Sequence, residues 1–265
     1  MIVNFTKMHG LGNDFVVIDL ITQGTRLNKS HIKRIADRKF GIGCDQVILI
    51  TPPNKPDIDF FYRIYNADGQ EVEQCGNGLR CAAKFFIDNS LTNQNLVTAA
   101  CLGGETLVQV HDEQQLVTAN LGKNYTAVTT HTLNYPTMPT QIHVISTGNP
   151  HGVCLVDDVK SIPLQEWGQK LTSDTIFPNS ANISFMQIVS KNHVILRVYE
   201  RGVGPTLACG SAACAATLVG KHLNLLGNRV NVEFAHGSLL IELNADQSIS
   251  MTGPASSIYI GRFRI

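Results

Sequence analysis

Two segments of the chain repeat one pattern, separated by about half of its 265 residues. Arg63-Ile-Tyr is followed by Cys75-Gly, 12 residues after the arginine, and Arg197-Val-Tyr is followed by Cys209-Gly at the same distance. The offset between the two cysteines is 134 residues. A repeat of this length, with one cysteine in each copy, predicts an internal duplication of a whole domain.

The order of the expected secondary structure repeats as well. Apolar spacing and turn signals predict helices at 28–39, 78–89, 163–171 and 212–225, with Phe40 on the apolar side of the first helix and Pro163 in the first turn of the third. Strands are expected at 15–20, 47–50, 57–65, 142–146, 152–156, 183–189 and 193–199. Residues 126–140, with Pro136 and Pro139, form the expected linker. We therefore expect an α+β fold of two pseudo-symmetric domains, each with strands wrapped around a central helix.

Composition narrows the class of protein. Lys plus Arg and Asp plus Glu are both 21, so no charge excess favours nucleic acid or an anionic membrane. The sequence has no apolar run long enough to span a bilayer and begins without the features of a signal peptide. Seven cysteines, an odd number in a chain of this size, are typical of reduced thiols, so we expect a cytoplasmic protein. The spacings Cys75–Cys81 and Cys209–Cys214 do not suit zinc, and no metal is expected.

Each of the duplicated cysteines comes immediately before a glycine and a helical run. A helix N-terminus lowers the pKa of a thiol, and its backbone N–H groups can hold a carboxylate that Gly76 and Gly210 allow to approach. Two equivalent thiols on opposite faces of one carbon are suited to racemisation or epimerisation. The alternative is that both are core thiols, as is expected for Cys44, Cys81, Cys101, Cys154 and Cys214.

Polar residues recur near both copies. Gly12-Asn13-Asp14 and Gly148-Asn149-Pro150 each precede an expected strand, and asparagine offers both amide donors and a carbonyl acceptor. Asn66 and Glu200 follow the equivalent tyrosines, so the two halves differ at this point. Glu200 suits an ammonium group and Arg201 a carboxylate. Ordinary turn chemistry and a solvent-exposed ion pair remain the alternatives.

Together these motifs resemble the diaminopimelate epimerase family. The resemblance is carried by Lys7-Met-His-Gly-Leu-Gly-Asn-Asp-Phe15, Asn66-Ala-Asp-Gly69, Cys75-Gly-Asn-Gly78, Gly148-Asn-Pro-His151, Glu200-Arg-Gly202 and Ala208-Cys-Gly-Ser211. These segments extend over nearly the whole chain, in the family's order. Proline racemases also use two cysteines, but they lack the Gly-Asn-Asp-Phe and Glu-Arg-Gly segments.

The resemblance implies a role for each matching position. Cys75 and Cys209 would be catalytic, His151 and Glu200 would tune their pKa values, and Tyr259 would lie at a homodimer contact. The substrate-binding positions would be Asn13, Gln46, Asn66, Gly76, Asn77, Asn149, Asn182, Glu200, Arg201, Gly210 and Ser211. The expected domains are 1–119, joined by a C-terminal strand at about 255–265, and 120–254.

The implied activity is the interconversion of LL- and meso-diaminopimelate in lysine and cell-wall precursor biosynthesis. No cofactor is expected, because the sequence offers neither a Schiff-base lysine nor a Gly-x-Gly-x-x-Gly motif after a strand. One thiolate would remove the α-proton while the other thiol delivers a proton to the opposite face. Two other interpretations stay open, a thiol redox protein using Cys75 and Cys209, and a bilobal protein that binds an amino acid without reaction.

Overall fold

The chain divides into two compact units. The structure, a computed structural model, describes residues 1–73 and 75–265, without the side chain of Asp112. The N-terminal unit consists of Met1–Asn120 with Thr252–Ile265, and the C-terminal unit consists of Leu121–Met251. The chain thus returns to the N-terminal unit for its last strand.

The N-terminal unit has a mixed sheet and two helices. Its strands pair in the order β18-β1-β2-β3-β4-β6-β7-β8, with the short β5 also on β4. Two of these pairings, β2 with β3 and β4 with β6, are parallel. The elements are β1 (Ile2–Gly10), β2 (Asn13–Asp19), α1 (Lys29–Ala36), β3 (Gln46–Thr51), β4 (Phe60–Asn66), β5 (Glu71–Val72), α2 (Gly76–Asp88), β6 (Leu96–Cys101), β7 (Gly104–His111), β8 (Leu116–Asn120) and β18 (Ser256–Arg264).

The C-terminal unit repeats this plan. Its strands pair in the order β9-β10-β11-β12-β13-β15-β16, with β14 also on β13, and β11–β12 and β13–β15 are parallel. Strand β10 takes the place of β1 and α4 the place of α2, which confirms the duplication. The elements are β9 (Thr129–Thr132), β10 (Gln141–Ser146), β11 (Pro150–Leu155), α3 (Leu164–Thr172), β12 (Asn182–Ser190), β13 (His193–Glu200), β14 (Gly204–Thr206), α4 (Gly210–His222), β15 (Arg229–Phe234), β16 (Gly237–Leu243) and β17 (Ile249–Pro254), whose end crosses into the N-terminal unit.

In each unit the sheet curves around one buried helix. Strands β1, β2, β3, β6, β7 and β8 all contact α2, and β10, β11, β12, β15 and β16 all contact α4. Strand β3 is an unbroken apolar run, Val47–Ile50, because its two faces are covered by different helices, α1 and α2. In α4 a run of small residues, Ala212 to Ala216, is almost wholly buried, which allows the surrounding strands to approach closely. The α+β fold with a central helix in each domain is confirmed.

The duplicated Arg and Tyr have structural roles. Arg63 forms a bidentate ion pair with Glu71 at 2.6 and 2.7 Å, and Arg197 donates to backbone carbonyls at the entry of α3. Tyr65 packs against the core that includes α1, and Tyr199 packs against the core that includes α3. The repeated pattern therefore marks equivalent packing positions.

Three local predictions are wrong. Residues 126–140 are not a linker: they lie inside the C-terminal unit, where Thr129–Thr132 pairs with β10 and both Leu133 and Met138 are buried. Phe40 is 82% exposed, because α1 ends at Ala36 before reaching it. Pro163 precedes the first turn of α3 as its N-cap residue.

Candidate functional site

Cys75 and Cys209 hold the same position in the two units. Each is the N-cap residue of a 13-residue helix, with φ/ψ of −145°/116° at Cys75 and −138°/118° at Cys209. Neither side chain makes a capping hydrogen bond to its own helix. Both sulfurs therefore lie at the positive end of a central helix, where the dipole favours a thiolate and a bound anion.

The other five cysteines lie in the core, as predicted. Cys44, Cys81, Cys101, Cys154 and Cys214 are all buried. Burial raises the pKa of Cys44, Cys81 and Cys154 to about 12, so these three thiols stay protonated at neutral pH. Cys75 and Cys209 differ from these five cysteines in being N-cap residues of a central helix.

Two asparagines lie beside Cys75. The Asn13 Oδ1 atom is 3.8 Å from the Cys75 sulfur and accepts a hydrogen bond from Asn77 Nδ2 at 3.3 Å. Asn13 begins β2, whereas Asn77 lies in the first turn of α2 next to Gly76. The packing of α2 on β2 thus brings together residues that are 64 positions apart.

A second amide pair lies on the neighbouring strands. Gln46 and Asn66 are partners in the antiparallel register of β3 and β4, and Gln46 Nε2 donates to Asn66 Oδ1 at 2.9 Å. Among the described residues, the buried Gln46 Oε1 is one of four buried side-chain polar atoms that have no hydrogen-bond partner. An amide oxygen in that state is a candidate acceptor for a substrate ammonium group.

An ionic network that the sequence reasoning missed supports Asn13. Asp45 Oδ2 accepts from Asn13 Nδ2 at 3.0 Å, and Arg38 bridges Asp45 and Asp14 at 2.8 and 2.7 Å. Burial alone would raise the pKa of Asp14, but hydrogen bonds from Arg38 and Lys7 hold it well below its usual range. The sequence contains a signal for Lys7 and Asp14, which belong to the motif Lys7–Phe15. It contains no signal for Arg38 or Asp45.

In the C-terminal unit, Cys209 has a hydroxyl neighbour. The Ser211 Oγ atom is 3.4 Å from the Cys209 sulfur, and Cys209 is 7% exposed. Thr147 Oγ1 donates to the Ser211 carbonyl at 3.5 Å, a contact that sequence reasoning did not anticipate. Gly210, between the cysteine and the serine, is buried in the first turn of α4.

His151 and Asn182 are partners across the parallel strands β11 and β12. His151 is fully buried, and its Nε2 lies 3.0 Å from Asn149 Oδ1. Burial, with a smaller effect from the charge of Arg201, lowers the pKa of His151 to about 3. The imidazole is therefore neutral at physiological pH, and it is a fixed dipole rather than a cation.

Glu200 is the last residue of β13 and Arg201 follows it, and the two are held by different neighbours. Glu200 Oε1 accepts from Thr206 Oγ1 at 2.6 Å. The Arg201 backbone N–H donates to Asn182 Oδ1 at 2.9 Å, and its guanidinium donates to the Asn179 carbonyl at 3.2 Å. The fixed backbone and exposed side chain of Arg201 leave a cation available to a ligand.

Tyr259 lies on β18, where it is the register partner of Lys7 on β1. Its ring packs edge-on against Phe5 at 5.9 Å between centroids and is 48% exposed. The adjacent Ile258 and Ile260 are also exposed.

Solved structures of epimerases, of an isomerase and of phenazine biosynthesis proteins share this fold. A hydroxyproline epimerase from Agrobacterium vitis, solved with trans-4-hydroxy-L-proline, matches with a TM-score of 0.71 at 13% identity over 99% of this chain and 91% of its own. PhzF-family phenazine biosynthesis proteins from Bacillus anthracis and Enterococcus faecalis match over 100% of both chains, with TM-scores of 0.71 and 0.76 at 16% and 12% identity. At such identities the likeness establishes the fold.

The family is defined by the sequence match. The diaminopimelate epimerase family model matches residues 5–127 and 143–258, which include every candidate catalytic and substrate-binding residue named above. The protein belongs to the diaminopimelate epimerase family. All helices in the described part of the chain are too short to cross a bilayer.

Proposed function

We propose that the protein is a cofactor-independent epimerase that interconverts LL- and meso-diaminopimelate, with Cys75 and Cys209 as its two bases. The observation that carries the proposal is the equivalence of the two cysteines. A duplicated domain that keeps one thiol at each helix N-terminus, with matching backbone angles, supplies two chemically equivalent groups. An inversion by a two-base mechanism needs such a pair.

The proposed chemistry moves one proton in and one proton out. A thiolate takes the α-hydrogen as H⁺ and becomes a thiol, and the electron pair stays on the carbon next to the carboxylate. The thiol of the other cysteine then gives its proton to the opposite face and becomes a thiolate. The first-turn N–H groups after Gly76 and Gly210 would hold the carboxylate and stabilise the developing negative charge.

The amide groups favour an amino acid with a second polar end. Gln46, Asn66 and Asn149 offer amide oxygens that can accept hydrogen bonds from an ammonium group, and the exposed Arg201 guanidinium suits a distal carboxylate. A planar guanidinium binds a carboxylate through two parallel hydrogen bonds. Proline and hydroxyproline lack a distal carboxylate, so Arg201 supports diaminopimelate over these substrates.

Two further features belong to the proposal. The exposed apolar residues Ile258, Tyr259 and Ile260 on β18 support a homodimer formed through this strand. We also propose that the protein acts in the cytoplasm, where diaminopimelate is a precursor of lysine and of the cell wall.

The test is a hydrogen-exchange assay with matched substrates. The protein is incubated in deuterated water, without pyridoxal phosphate, with LL-diaminopimelate, L-lysine, L-proline or trans-4-hydroxy-L-proline. We expect epimerisation with deuterium gain at one α-carbon of diaminopimelate only. Turnover of proline or hydroxyproline instead would contradict the substrate, and binding of diaminopimelate without exchange would contradict the enzyme.

A further inference from the structure

We propose that Asp45 and Arg80 are positioning residues that fix the orientation of two asparagine side chains beside Cys75. As a result, Asn13 presents its carbonyl oxygen to the thiol, and the amide cannot turn its NH₂ group toward the sulfur. The orientation of the two amides does not depend on the proposed function; only the importance of that orientation for catalysis rests on it. The contacts that carry it all lie within the N-terminal unit.

The four side chains form one continuous chain of hydrogen bonds. Arg80 Nη2 donates to Asn77 Oδ1 at 2.8 Å, and Asn77 Nδ2 donates to Asn13 Oδ1 at 3.3 Å. Asn13 Nδ2 then donates to Asp45 Oδ2 at 3.0 Å. Each amide uses its nitrogen on one side and its oxygen on the other.

The charged groups at the two ends determine this polarity. A guanidinium can only donate, so Asn77 must present its oxygen to Arg80. A carboxylate can only accept, so Asn13 must present its nitrogen to Asp45. Turning either amide over would place two donors or two acceptors face to face. The orientation therefore follows from the chemistry of the ends and does not depend on telling an amide oxygen from an amide nitrogen.

Both end groups of this series of hydrogen bonds, Arg80 and Asp45, are themselves held in place. Arg80 is fully buried, and it also donates to the carbonyls of Gly76 and Pro254, each at 3.3 Å. Asp45 is paired with Arg38 at 2.8 Å and accepts from the Asp14 backbone N–H at 3.1 Å.

The consequence for Cys75 concerns its proton. An acceptor facing the sulfur interacts favourably with the protonated thiol, whereas a donor in that place would favour the thiolate. The Asn13 carbonyl at 3.8 Å thus opposes the helix dipole, which favours the thiolate. Asp45 and Arg80 maintain this orientation of the Asn13 amide, and through it they maintain the effect of the Asn13 carbonyl on the thiol.

The test measures the reactivity of Cys75 in the Asp45→Asn variant. An asparagine at position 45 can both donate and accept, so it no longer fixes the Asn13 amide. We expect alkylation of Cys75 by iodoacetamide, followed peptide by peptide with mass spectrometry between pH 6 and 9, to become roughly threefold faster below its pKa, as loss of one hydrogen bond implies. Alkylation of Cys209 should be unchanged.

Two titratable neighbours do not obscure this readout. Tyr62 and Cys81 both interact electrostatically with Cys75. Burial raises the pKa of Cys81 to about 12 and that of Tyr62 well above its usual value, so both remain protonated in this pH range.

Asp45→Asn also removes a negative charge, and this by itself lowers the pKa of a nearby thiol. Measurement at high salt separates this charge effect from the effect of the Asn13 amide orientation. At 1 M KCl exposed charges are screened beyond about 3 Å, whereas the orientation of an amide is unaffected. We expect the faster alkylation of Asp45→Asn to persist in 1 M KCl. The control Glu71→Gln removes a carboxylate of the same unit that pairs with Arg63, and it should react like the parent protein.

A second pair of variants tests the other end. Arg80→Met removes the donor, and Arg80→Lys keeps a donor-only group, so Cys75 should react faster in the first and nearly normally in the second.

Equal reactivity of Cys75 in the parent and Asp45→Asn proteins, or a difference that 1 M KCl abolishes, would overturn the inference. Alkylation needs no substrate, so it decides this point even if diaminopimelate is not turned over.

Discussion

His151 Nε2 lies 3.0 Å from Asn149 Oδ1, and this contact fixes the protonation of a fully buried ring. The amide oxygen can only accept, so Nε2 carries the hydrogen and Nδ1 carries the lone pair. Nδ1 is buried and, among the described residues, has no hydrogen-bond partner. The ring is therefore a neutral imidazole whose buried acceptor nitrogen is not used by any described residue.

The burial of His151 predicts a loss of stability in mild acid. Its pKa is about 3 in the folded protein, against an ordinary value of 6.5. Between these values the unfolded chain binds the additional proton, so the free energy of unfolding falls as the pH is lowered below 6.5. At pH 5 the loss is about 2 kcal/mol.

Urea unfolding of the parent protein and of His151→Gln at pH 7.5 and pH 5 measures this effect. The variant cannot titrate at this position, so its stability should change less between the two pH values. Burial also lowers the pKa of His143, which leaves a smaller residual dependence on pH. Identical pH dependence in both proteins would show that His151 is not the acid-sensitive group.

Arg201→Lys should alter substrate preference more than folding. The Arg201 backbone N–H donates to Asn182 Oδ1, a bond that lysine retains, but lysine cannot bind a carboxylate with a planar fork. We expect kcat/KM for diaminopimelate to fall about tenfold or more, in line with the loss of a charge-assisted hydrogen bond, with an unchanged melting temperature. A preference for diaminopimelate over lysine equal to that of the parent would exclude Arg201 from substrate recognition.

Gly168→Ala should destabilise the C-terminal unit, contrary to the usual effect of alanine in a helix. A Cβ atom at position 168 would lie 2.3 Å from Tyr199 Cγ, so α3 could not keep its contact with β13. Overpacking of this kind costs about 1–3 kcal/mol, against a gain of about 1 kcal/mol from helix propensity. The control Gln169→Ala, at an exposed site in the same helix, should leave the urea midpoint nearly unchanged. A midpoint for Gly168→Ala at or above that of the parent would contradict this packing.

Mild oxidation should inactivate the protein through a Cys75–Cys209 disulfide that thiol reductants reverse. On the two-base proposal both thiols act on one carbon, so we expect them to meet when no substrate is bound, and the thiolate of one then attacks the other once that sulfur is oxidised. Bound diaminopimelate should protect. Peptide mapping after oxidation decides the point, and inactivation that maps to Cys44, Cys101 or Cys154 would show that the helix-entry thiols do not meet.

The sequence predicted the central helices well but not their first turns. The helices were expected from residues 78 and 212, whereas they begin at Gly76 and Gly210. Glycine has low helix propensity, and a cysteine N-cap gives none of the signals that serine or aspartate would give. The helix ends that carry the two proposed bases are therefore places where local rules fail, as is common at functional sites.

The other errors have one local and one long-range cause. The first helix was expected over 28–39 but ends at Ala36. Asp37 has β-region backbone angles, and its carboxylate accepts from the Lys39 and Phe40 N–H groups at 2.7 and 2.9 Å. Prolines at 136 and 139 suggested a linker, although the segment is held by strand pairing with β10. The link from Asp45 to Asn13 joins residues 32 positions apart, which no local pattern reveals.

The most direct test of the two-base proposal follows α-hydrogen exchange in the single variants Cys75→Ala and Cys209→Ala. Both should lose epimerisation by about 10²–10⁴-fold or more while remaining folded, because each lacks one of the two groups. The control Cys81→Ala, which removes a buried thiol of α2, should retain turnover. In deuterated water, we expect one cysteine variant to exchange the α-hydrogen of LL-diaminopimelate only and the other to exchange that of meso-diaminopimelate only, each with retention of configuration. Near-normal epimerisation by either variant, or exchange of the same stereoisomer by both, would contradict the assignment of one cysteine to each face.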